Sequence, residues 1–231
     1  HMERLINYFI PENYQLELRV NKHTEEVQGH VVISGHAQKS KLKLHSRDLK
    51  ISKILINQKP VDFVLDPDNQ LLIVDSIEAK QATIDIRYTF KLSHSMIGMY
   101  LSTYRYQDRE ERIVSTQFES HYARMMFPCV DEPEAKATFD LKIIDTDIED
   151  TILSNMPIQS ERILTYTSVN ADLNPKEDAN ALNLNAQVSR KIVTFKTTPK
   201  MSTYLLAICI GKFNKTSGKN QHGIEVTTYG A

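Results

Sequence analysis

Residues 82–92 read ATIDIRYTFKL, in which Ala82, Ile84, Ile86, Tyr88, Phe90 and Leu92 alternate with Thr83, Asp85, Arg87, Thr89 and Lys91. In an extended chain successive side chains point to opposite faces, so a period of two gathers the apolar groups on one side. The segment therefore predicts a half-buried strand. The same pattern recurs on either side of it. Tyr14, Leu16, Leu18 and Val20 oppose Gln15, Glu17 and Arg19, while Val27, Val31, Ile33 and Ala37 oppose Gln28, His30, Ser34 and His36. Downstream, Ala137, Phe139, Leu141 and Ile143 alternate with Thr138, Asp140, Lys142 and Ile144. Shorter strands are expected around Leu42, Leu44, Leu49, Ile51, Ile54 and Ile56, and DPDNQ at 66–70 supplies turn chemistry. Helical periodicity is nearly absent. The expectation is an all-β chain with a large twisted antiparallel sheet packed on a smaller sheet, sandwich-like.

Three further segments carry local expectations. QDREER at 107–112 reads as a solvated, charged hairpin tip, and YLLAICI at 204–210, apolar on both parities, reads as a central strand covered from both sides. Residues 168–190 are polar and Asn-rich and predict a surface excursion.

Composition narrows the function. The 231 residues contain 41% hydrophobic residues, and 28 Lys plus Arg stand against 29 Asp plus Glu, a net charge of −1. Such a balance gives no electrostatic reason to expect nucleic acid or an anionic membrane as a partner. Only Cys129 and Cys209 are present, in no CxxC pair, which suits free thiols in a reducing, cytoplasmic setting. The apolar run at 5–10 ends at Pro11 and is too short for a signal peptide or a membrane span. His1 and Met2 read as a cloning scar, the end VTTYGA carries no cap or charged tail, and residues 1–231 are read as a single domain.

Side chains capable of chemistry concentrate at 115–144, STQFESHYARMMFPCVDEPEAKATFDLKII. Arg124, Asp131, Glu132, Glu134 and Lys136 lie among Phe127, Pro128, Cys129 and Pro133. Charges this close to apolar backbone are either paired into a rigid loop or presented to a ligand. Gln117 and Glu119 share a parity opposite Phe118, as an ordinary strand face or a binding edge both require. Gly98, in an apolar strand context, marks a place where another group approaches closely. Metal chemistry has little support. None of the eight His is followed by Glu, no two are four apart, and His30 and His36 share a face without a third ligand. The acidic run at 145–150 reads as a solvated loop. GKFNKTSGKN at 211–220 has six residues between its glycines where a phosphate loop has four, and no GxSxG occurs. Cys129 reads as a buried structural thiol, and the glycosylation triplet at Asn214 has no meaning in a cytosolic protein.

The segment TQFESHYARMMFPCVDEPEAKATFDL resembles the hallmark of the N-terminal domain of the aminopeptidase N family of zinc aminopeptidases, the gluzincins. MIGMYLSTY at 96–104 and TPKMSTYLLAICIGKF at 198–213 extend the resemblance, which is greatest to members from Gram-positive, lactic-acid-type bacteria. It implies a saddle-shaped all-β domain that walls the substrate cleft of a peptidase acting on peptides with a free N-terminus. Zn²⁺, the HExxH helix and the GAMEN motif would belong to a catalytic domain farther downstream, so this chain alone is expected to be inactive. By the same resemblance Gln117 and Glu119 reach the substrate's α-amino group, and Met96, Met99 and Tyr100 are candidates for the first specificity pocket. Arg124, Asp131, Glu132 and Lys136 are expected to form an ion-paired scaffold, and 168–190 is longer than the family's usual connection. The alternative is a non-catalytic β-sandwich adaptor or binding module of the same architecture.

Overall fold

The computed structural model describes residues 3–167, 187–219 and 225–230. After a 3-10 turn (Leu5–Asn7) come β1 (Phe9–Asn21), β2 (Glu26–Ala37), β3 (Leu42–His45), β4 (Lys50–Ile56), β5 (Lys59–Pro60) and β6 (Val64–Asp66). Then follow β7 (Leu71–Val74), β8 (Gln81–Lys91), β9 (Gly98–Tyr106) and β10 (Arg109–Gln117), and a second 3-10 turn (Ala123–Met125). The rest comprises β11 (Thr138–Asp145), β12 (Thr151–Ser154), β13 (Ile158–Thr167), β14 (Gln187–Phe195), a third turn (Thr203–Leu205), β15 (Ile208–Gly211), β16 (Asn214–Lys219) and β17 (Glu225–Gly230). Among the described residues no helix is long and apolar enough to cross a membrane.

The expected all-β architecture forms, a large sheet with smaller ones packed on it. Eight strands run in the order β13-β14-β11-β1-β2-β8-β4-β5, beside a four-stranded sheet β12-β15-β10-β9, a three-stranded sheet β3-β7-β6 and the hairpin β16-β17. Alternation sets which face of the large sheet is buried. Leu141, Leu16, Val31, Ile86 and Ile54 form one cross-strand row over five strands, and each is at most 3% exposed. The next row, Lys142, Glu17, His30, Arg87 and Lys53, turns outward. There Lys142 reaches Glu17 at 3.4 Å and His30 reaches Asp85 at 2.8 Å. A register slip of one residue would exchange the two rows, so burial itself holds the pairing.

Four features differ from the sequence-based expectation. The large sheet is mixed, because β1 and β11 run parallel with Tyr14 beside Phe139. A parallel pair needs a long crossover, and here residues 22–137 supply it while building most of the other strands. The hairpin tip at 107–112 narrows to Gln107 and Asp108, whose φ angles of 49° and 61° make the tight two-residue turn, and the remaining charged residues continue into β10. Residues 204–210 are not one strand: Thr203–Leu205 turn as a 3-10 element, Leu205 is 48% exposed, and only Ile208–Gly211 is extended. Of the excursion placed at 168–190, residues 168–186 lie outside the described residues, while Gln187 to Arg190 already pair with β13.

Candidate functional site

An aromatic cluster under the 118–130 loop positions it. Tyr14 and Phe139 stack with centroids 4.9 Å apart, Phe127 meets Tyr14 edge-on at 5.5 Å, and Phe118 meets Phe127 at 6.4 Å. Phe118 is 1% exposed, so the residue just after β10 is anchored in the core. The two neighbours of that anchor, Gln117 and Glu119, are exposed. The Glu119 backbone N–H reaches Gln117 Oε1 at 3.4 Å, and the Glu119 carboxylate has no partner among the described residues. A buried aromatic thus presents two polar side chains at a strand end.

The loop beyond them is held by a buried network. Arg124 Nε donates to Asp131 Oδ2 at 2.9 Å, with the two side chains 12% and 1% exposed. Thr203 Oγ1 donates to Asp131 Oδ1 at 2.7 Å, and Arg124 Nη1 reaches Gln70 Oε1 at 3.2 Å. The Asp131 backbone N–H donates to His45 Nδ1 at 3.0 Å, so the His45 proton sits on Nε2. Burial, with the Arg124 charge second, holds His45 down at a pKa of about 3. Two backbone bonds join His45 and Cys129, at 2.7 and 3.1 Å, and burial pushes the Cys129 thiol well above its ordinary pKa.

The other named residues separate into different roles. Glu132 accepts the backbone N–H groups of Leu5 and Ile6 at 2.8 and 2.9 Å, capping the first turn instead of joining the Arg124–Asp131 pair. Lys136 is exposed and makes no ion pair among the described residues. Met96, Met99 and Tyr100 do not converge. Met99 is 2% exposed and paired with Thr116 on the inner face, Met96 is 74% exposed, and Tyr100 lies opposite Ser115 on the face of Gln117. His45 and Thr203 went unnamed in the sequence reading, and Tyr14 was read only as part of a strand face, because each reaches the loop from a distant strand or turn with no local pattern to mark that contact. Cys129 and Cys209 are both free thiols.

The model of the peptidase M1 N-terminal domain matches residues 10–205, which include the strand end and the loop. The chain belongs to the peptidase M1 N-terminal domain family. It is 38% identical over 228 residues to an aminopeptidase N of Lactococcus lactis subsp. lactis, covering 98% of this chain and 24% of that protein. It is 30% identical over 230 residues to aminopeptidase N of Lactobacillus helveticus, covering 99% and 24%. It is 31% identical over 239 residues to the puromycin-sensitive aminopeptidase of Caenorhabditis elegans, covering 98% and 23%. The chain thus spans about a quarter of the length of these relatives. Zinc is implied by the M1 family, yet among the described residues no three His, Cys, Asp or Glu side chains are grouped to hold a metal. The described residues therefore offer no fit for the ion.

Proposed function

We propose that this chain forms one wall of the substrate cleft in a zinc aminopeptidase, and that Glu119, assisted by Gln117, holds the free α-amino group of the peptide. The observation that carries the reading is the Glu119 carboxylate, exposed beside a core-anchored Phe118 and without a partner among the described residues. An enzyme that removes only the first residue must hold the substrate ammonium at a fixed distance from the bond it cuts, and a carboxylate on a rigid strand end supplies that fixed point. Gln117 adds an amide oxygen on the same side of Phe118. The hydrolytic step and the Zn²⁺ that serves it are assigned to the part of the parent protein beyond this chain, so the isolated chain is expected to leave peptides uncut. The free thiols of Cys129 and Cys209 agree with a cytoplasmic setting.

The test uses the full-length parent protein and aminoacyl p-nitroanilides. Removing one member of a charge-assisted pair costs about 2 kcal/mol or more, about thirty-fold in affinity. Glu119→Gln should lower kcat/KM by at least that factor, chiefly through KM, at every aminoacyl group. An unchanged KM removes Glu119 from the site.

A further inference from the structure

Gly98 opens β9 directly opposite Gln117, the last residue of β10. Directly opposed residues of an antiparallel pair have Cα atoms about 4.5–5.5 Å apart, so a side chain packed against Gly98 is a near neighbour of Gln117. That side chain is Met125. A Cβ on Gly98 would lie 3.0 Å from Met125 Cβ, 3.2 Å from its Cε and 3.3 Å from its Sδ. The whole side chain therefore lies flat across the glycine. Gly98 also has a φ of 68°, so a side chain there would be strained even without the contact.

The backbone of Met125 is tied to the same strand end. Its N–H donates to Tyr122 O at 3.0 Å, and the Tyr122 N–H donates to Phe118 O at 2.9 Å. Phe118 is the residue between Gln117 and Glu119, so Met125 keeps a fixed place relative to both. Met125 remains half-buried, in contrast to Met99, which is sealed on the inner face. We infer that Met125 is a specificity-determining residue, an apolar wall for the side chain of the peptide's first residue. This rests on the reading of Gln117 and Glu119 as the amine anchor, because the side chain to be discriminated leaves the same carbon that bears the ammonium. A thioether is flexible and polarisable and adapts to aliphatic and aromatic groups alike, which points to bulky apolar first residues as the preferred class.

The experiment measures kcat/KM of the full-length protein on leucyl, phenylalanyl and alanyl p-nitroanilides. Two variants are compared with wild type, Met125→Ala, which removes the wall, and Met125→Gln, which keeps its length and makes it polar. The leucyl-to-alanyl and phenylalanyl-to-alanyl ratios should fall about tenfold in both variants, and because they are ratios a loss of folded enzyme cancels from them. Ratios within twofold of wild type overturn the inference and leave Met125 a packing residue. Glu119→Gln is run alongside. A uniform loss on all three substrates upholds the amine anchor whatever the ratios do, whereas no loss removes the anchor even if the Met125 ratios move.

Discussion

Tyr14 and Phe139 lie side by side across the parallel pair of β1 and β11, with rings 4° from coplanar and centroids 4.9 Å apart. The Tyr14 hydroxyl extends past that stack and accepts the Val130 backbone N–H at 3.2 Å, joining the sheet to the loop that follows the candidate site. Both residues are fully buried. Tyr14→Phe keeps the stack and leaves the Val130 N–H without an acceptor, which costs about 1–3 kcal/mol. Thermal or denaturant unfolding of this chain should show that loss, and an unchanged midpoint would mean that water replaces the hydroxyl.

His45 gives the domain an acid-sensitive element. Burial holds its folded pKa at about 3, below the ordinary value of 6.5. The unfolded chain therefore binds a proton that the folded chain refuses between those values, and stability is fully present above pH 6.5 and falls as pH drops toward 3. The slope from this one group is about 1.4 kcal/mol per pH unit. His45→Gln offers Asp131 N–H an amide oxygen in place of Nδ1 and cannot titrate, so its stability between pH 7 and 4.5 should fall less steeply than wild type. Equal slopes would show that His45 titrates normally.

At the other end of β11 the sign reverses. Lys22 Nζ contacts both Asp150 carboxylate oxygens at 2.7 Å, with Asp147 at 3.2 Å and His23 pairing with Asp147. Asp145 is buried beside them, and its Oδ2 has no donor to accept from. Burial first, then its contact with Asp150, raises its pKa to about 9. A protonated Asp145 can donate to Asp150, which satisfies both oxygens. With the folded pKa raised above the ordinary 3.8, its contribution is fully present below pH 3.8 and is lost as pH rises through 9. Asp145→Asn mimics the protonated form, so the melting temperature of the variant relative to wild type should rise between pH 6 and pH 8.5. A constant difference would mean that Asp145 does not hold the proton.

What could be read from the chain in advance follows from the range over which each signal acts. The buried row of Leu16, Val31 and Ile86 was visible because strand alternation is local, and it survives in the structure with its faces as expected. The parallel pairing of Tyr14 with Phe139 leaves no local mark, since the alternation of β11 is the same whichever way its neighbour runs. Tyr204 and Leu205 looked extended from their apolar content. Tertiary bonds override that propensity there: Ser202 Oγ donates to Pro133 O at 2.5 Å and Thr203 Oγ1 to Asp131 at 2.7 Å, drawing the chain into a turn against the loop. Among the methionines, parity alone separates Met99 from the face of Gln117, whereas Met125 is brought against Gly98, the partner of Gln117, through a turn that only the three-dimensional structure reveals.

The contact between Glu119 and a substrate ammonium is tested most directly by changing both partners. Inhibition constants of a dipeptide and of its analogue lacking the α-amino group are measured against the full-length parent protein and its Glu119→Gln variant. Wild type should prefer the amine about thirty-fold or more, and the variant should keep no more than about threefold of that preference, the coupling expected when two groups touch. The same preference in both proteins would place the ammonium elsewhere and contradict the account.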